Sequence, residues 1–117
     1  MGYIRHHAIV VTSWDEKLLA KAHEMAKICG NNVTDIVGPL TNGCCTFCIV
    51  PDGSKEGWST SYEGDDARLQ FIAWMNHNRH ECGSSSLQWV EVFYGNDDGK
   101  AQIVDSTWHY DVDPHKN

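Results

Sequence analysis

The hydrophobic pattern divides the chain into short β-prone runs and two stretches of helical period. Ala8-Ile-Val-Val11, inside Tyr3-Ile-Arg-His-His-Ala-Ile-Val-Val-Thr-Ser-Trp14, is the longest purely aliphatic β-prone run and predicts a buried central strand. From Trp14 to Cys29 the period changes. Leu18, Ala22, Met25, Ala26 and Cys29 fall on one helical face, with Glu16, Lys17, Lys21, Glu24 and Lys27 on the other. Ser13 and Glu16 stand at capping-box spacing, and Gly30 suits the position just past the helix end. Residues 31–43 read as a long connection with room for one edge strand. Cys44–Val50 predicts a second strand, Pro51–Ser54 a turn, and Lys55–Ser61 a returning third strand.

Gly64-Asp-Asp66 predicts the opening of a second helix, since carboxylates suit the positive end of the helix dipole. Ala67, Phe71, Trp74, Met75 and Asn78 give it an inward stripe, flanked by Leu69 and Ile72. Leu87–Tyr94 and Lys100–Asp105 then read as a hairpin around Gly95–Gly99. The predicted order is β-α-β-β-α-β-β. This is a single α+β domain over 1–110, ferredoxin-like with an extra C-terminal strand, followed by a loose polar tail over 111–117. Two helices on one face of an antiparallel sheet leave the other face open, which predicts a homo-oligomer.

Composition narrows the partners. A net charge of −7 over 117 residues argues against a surface for a nucleic-acid polymer, whose affinity rests on Lys and Arg neutralising phosphates. It leaves room for a small phosphorylated ligand held by one or two basic groups. No apolar run approaches membrane-spanning length and no signal peptide precedes the first strand, so the expected compartment is the cytosol, with the five cysteines as reduced thiols.

Two segments carry candidate chemistry. Arg5, His6 and His7 run into the buried strand, with Arg5 and His7 on one face and His6 on the other. A guanidinium fork and imidazole donors suit a phosphate. The plainer reading is polar strand-end residues satisfied by solvent or a neighbouring strand. The second segment is Pro51-Asp-Gly-Ser-Lys-Glu-Gly-Trp58-Ser-Thr-Ser61, where Lys55, Trp58 and Ser59 could pair with a phosphate, stack a base and bond a hydroxyl. The plainer reading there is an exposed strand with Trp58 packed at its edge.

Cys45 and Cys48, with His77, His80 and Cys82, offer a zinc set. Against it, positions three apart on a strand point to opposite faces, so the cysteines read better as small apolar core residues. A thioredoxin-like role fails because that motif should open a helix. His6 or His7 could act as acid or base in a nucleotide-processing phosphoesterase, but neither has Ser or Thr two residues on, and no other catalytic motif is present. No catalytic residue, metal or cofactor is assigned.

The stretches Tyr3–Trp14 and Pro51–Trp58 resemble small phage-encoded proteins of the anti-CBASS nucleotide-sponge family. The resemblance implies a non-enzymatic oligomer, a tetramer, acting in the cytoplasm of the host bacterium. There it would sequester cyclic dinucleotides such as 3′3′-cGAMP and so inhibit host CBASS defence. The ligand contacts, Arg5, His6, His7, Lys55, Trp58 and Ser59, come from the chemistry above rather than from the resemblance.

Overall fold

The structure is a computed structural model and describes residues 4–95 and 99–107. Strand β1 (His6–Ser13) is followed by helix α1 (Glu16–Ile28), strand β2 (Cys45–Ile49), helix α2 (Ser59–His77) and strands β3 (Gln88–Tyr94) and β4 (Gln102–Ser106). The four strands form one antiparallel sheet in the order β2-β1-β3-β4. The architecture is therefore α+β, with the aliphatic run of β1 in the middle of the sheet as its composition demands. The predicted tail over 111–117 and the tip of the 95–99 turn lie outside the described residues.

Alternation sorts the sheet into two faces. Ile9, Val11 and Ser13 of β1, Cys45, Phe47 and Ile49 of β2, and Trp89 of β3 are buried. Leu19, Ala22 and Ala26 of α1 and Phe71, Ile72 and Met75 of α2 complete this core. Phe47 and Phe71 meet at a centroid separation of 6.2 Å. The opposite face carries Ala8, Val10, Cys48, Val90 and Val92, brought level by the strand register. Thr12 and Thr46 are joined there by a 2.9 Å hydroxyl bond. Val10 is exposed and Ile103, opposite Val92 on β4, is more so.

Three local expectations are corrected. Lys55–Ser61 is not a strand: Gly57 takes a positive φ of 90°, which breaks an extended run, and α2 begins at Ser59. Gly64, Asp65 and Asp66 consequently lie inside the helix rather than at its opening. Ser61, Ala67, Phe71 and Met75 stand on its buried side, so tertiary packing extends the helix through a hydroxyl-rich stretch of weak propensity. Ser13 does not cap α1. Asp15 does, accepting from the Leu18 amide at 3.1 Å, while the buried Ser13 hydroxyl donates to the Ser86 carbonyl at 2.6 Å. Leu19, not among the residues that the pattern assigned to either face of α1, is fully buried there.

The long connection holds its edge pairing. Val33 bridges Ile49 and Val37 bridges Thr46, both antiparallel, so this segment runs along the outer side of β2. Gly38 follows at φ 124°, where a Cβ would stand 2.6 Å from the Cys44 carbonyl oxygen. Only glycine fits that close approach of backbone to backbone.

Candidate functional site

The two segments singled out in the sequence meet at one end of the sheet. Ile4 bridges Lys55 in antiparallel fashion, laying the 55–58 turn beside the start of β1. The joint is made by Glu56. His7 Nε2 donates to Glu56 Oε1 at 3.2 Å, Arg5 Nε lies 3.7 Å from the same oxygen, and the Ser61 hydroxyl donates to Oε2 at 2.9 Å. The Arg5 guanidinium also sits 4.4 Å over the Phe93 ring, a cation–π contact. Arg5 and His7 thus share the helix-covered face, and both meet a carboxylate of the protein itself.

His6 faces the other way. Its ring packs on Tyr94 at 5.2 Å, and Gly95 leaves it room, since a Cβ there would come within 2.7 Å of the imidazole. The sheet therefore separates His6 from Arg5 and His7. Lys55 and Trp58 come together at the start of α2, whose first residue is Ser59. Lys55 Nζ lies 5.6 Å from the Trp58 ring centroid, and Trp58 keeps 51% of its surface exposed. No side chain caps the helix at Trp58, so the positive end of a 19-residue α-helix begins beside this lysine and indole.

Sequence reasoning passed over three charged residues. Glu56 sits in a turn, where no periodicity marks a side chain as inward. Arg68 and Glu91 were more legible. Arg68 lies one helical turn before Ile72, on the apolar side of α2, and Glu91 shares the inward register of Trp89. Their side chains keep only 12% exposure each, with Arg68 Nε 3.5 Å from Glu91 Oε2. Arg68 also pairs with Asp65 on its own helix.

Electrostatics distinguishes the two glutamates. Burial alone would raise Glu56, but hydrogen bonds from His7 and Ser61 and the His7 and Arg5 charges outweigh it and hold its pKa below the ordinary value. Burial pushes Glu91 up, with Arg68 and His7 offsetting only part of the effect. The lowered Glu56 stabilises the fold above the ordinary glutamate pKa of about 4.3, and that contribution is lost as pH falls through the lower folded value. Glu91 has the opposite sign: it favours the folded state at low pH and loses that contribution as pH rises through its raised value. Glu56→Gln is therefore expected to melt below the parent at neutral pH, the gap closing toward pH ~3. Melting curves across the acid range check this, and a gap that stays constant with pH would remove Glu56 from the joint.

The zinc set is not assembled. Cys45 is buried in the core and Cys48 lies on the opposite sheet face. Among the described residues no three His, Cys, Asp or Glu side chains gather as a metal site, and no helix is long and apolar enough to cross a membrane. Comparison of the chain with family models, with curated proteins and with solved structures finds no match.

Proposed function

We propose that the protein binds a cyclic dinucleotide such as 3′3′-cGAMP and sequesters it without hydrolysis, as a phage countermeasure to host CBASS signalling in the bacterial cytoplasm. One observation carries the reading: Lys55 and Trp58 meet at the uncapped start of α2, of which Ser59 is the first residue, in an otherwise acidic chain. An ammonium and free helix amides suit a phosphate, and an exposed indole suits a base. Arg5 and His7 hold the 55–58 turn in place through Glu56. The ligand contacts narrow to Lys55, Trp58 and Ser59, and His6 on the far face is set aside. The resemblance of Tyr3–Trp14 and Pro51–Trp58 to the sponge family supports the same class of ligand.

The fold fits this reading. Counting 33–37 as a reduced edge strand, the sheet runs 33–37, β2, β1, β3, β4. We read that as a ferredoxin-like order with one C-terminal strand added, in which 33–37 and β2 are the two middle strands. The open face around Val10 and Ile103 we assign to contact between copies, a tetramer in the sponge reading. Light scattering at micromolar concentration is expected to give several chain masses; a clean monomer would remove the oligomer.

A thermal-shift screen of cyclic mono-, di- and trinucleotides tests the function. A ligand that binds only the folded state raises its apparent stability, by about 2.7 kcal/mol at a hundred times its Kd. A rise confined to cyclic dinucleotides is the expected result. No shift with any member at millimolar concentration contradicts the proposal.

A further inference from the structure

Trp58 and Tyr62 stand one helical turn apart, joined by a 3.2 Å bond from the Tyr62 amide to the Trp58 carbonyl. Residues at that spacing lie on one side of a helix, with Cβ atoms about 5–6 Å apart. The core side of α2 is taken by Ser61, Ala67, Phe71 and Met75, so the side that carries Tyr62 is turned to water. Tyr62 keeps 64% of its surface exposed. Among the described residues its ring meets no other ring and its hydroxyl makes no hydrogen bond. Two large rings thus stand beside each other in water without packing together, and a flat apolar body would cover both.

The backbone that carries them is anchored. The Ser61 hydroxyl donates to Glu56, which also accepts from His7 on β1. The charge pattern is unusual for a helix start. Carboxylates favour that end, and this chain is rich in them, yet the first turn of α2 is Ser59, Thr60, Ser61 and Tyr62, with the first acid at Glu63. Nothing negative on the helix therefore competes with an anion placed beside the two rings and Lys55.

We propose that Trp58 and Tyr62 form a slot that holds one nucleobase between their rings, with Lys55 beside the adjoining phosphate. Stacked rings lie about 3.4 Å apart, so a base fills a gap of about 7 Å, and side chains a helical turn apart span it when their rings lean slightly away from each other. Every base offers a π-face, so the slot supplies affinity and no choice between adenine and guanine. It rests on the nucleotide-binding reading and adds Tyr62 to its contacts.

The test follows base protons by NMR. AMP and 3′3′-cGAMP are each titrated at millimolar concentration into the unaltered protein, Tyr62→Ala, Tyr62→Phe and Trp58→Ala. Ring currents from both faces should move the protons of one base upfield, and each alanine substitution should remove part of that shift from the same protons. Tyr62→Ala should weaken binding roughly five- to 150-fold. Its melting temperature should stay at the parent's, because the side chain is mostly in water. Tyr62→Phe keeps the ring and should bind like the parent. A Tyr62→Ala protein that binds both nucleotides as tightly as the parent overturns the slot and leaves Trp58 as a one-sided contact. Substitutions at Trp58 and Tyr62 that act on the protons of different bases overturn it too. A slot that holds AMP but not 3′3′-cGAMP stands, and the cyclic-dinucleotide reading falls instead; binding of neither nucleotide overturns both.

Discussion

Phe71→Ala is expected to cost about 3–5 kcal/mol of stability, the usual toll for removing a buried aromatic ring and leaving a cavity. Phe71 has no exposed surface, meets Phe47 at 6.2 Å and stacks on Trp74 at 6.3 Å. It joins α2 to the β2 side of the core, so the space it leaves is bordered by a helix and a strand that cannot both close in. Domains of this size are stable by only about 5–15 kcal/mol, so the substitution removes a large share of the total. Urea unfolding should show a lower midpoint at nearly constant slope, because the surface exposed on unfolding hardly changes. A loss under about 1 kcal/mol would mean that Phe71 is not packed as described.

Trp58→Ala should do the reverse, sparing the fold and harming binding. Half of the Trp58 surface is in water and its described ring contact is with Lys55, so the melting temperature should barely move. Stacking of a base on an aromatic ring contributes about 1–3 kcal/mol, so affinity for the cyclic dinucleotide should fall by roughly five- to 150-fold. Trp58→Phe keeps a smaller ring and should recover part of the loss. Measuring melting and affinity on the same protein separates the readings. A Trp58→Ala protein that melts early but binds as tightly as its parent would make Trp58 a structural residue.

The sheet was legible in the sequence because burial writes a period of two into strands. The β1 run, the strand β2 and the hairpin of β3 and β4 were all readable from their apolar, β-prone positions. Residues 55–61 were misread because their Ser and Thr content and Trp58 weigh toward a strand, while the stripe that makes them helical lies farther on, at Ala67, Phe71 and Met75. Local composition cannot report a helix start fixed by packing two turns away. The candidate site was half legible. Alternation separated His6 from Arg5 and His7, but nothing local identifies Glu56 as their partner, because that contact closes across 49 residues of chain. Glu91 was readable in principle, as a charge standing between Trp89 and Phe93 in the inward register of a strand.

The most direct test of the central claim is recovery of the ligand. The purified protein is incubated with 3′3′-cGAMP, passed through a desalting column, then denatured by protease and heat, and the released nucleotide is analysed by chromatography. The account predicts that the cyclic dinucleotide elutes with the protein and is recovered intact. A linear or hydrolysed product would make the protein an enzyme, and free nucleotide left wholly behind on the column would contradict sequestration.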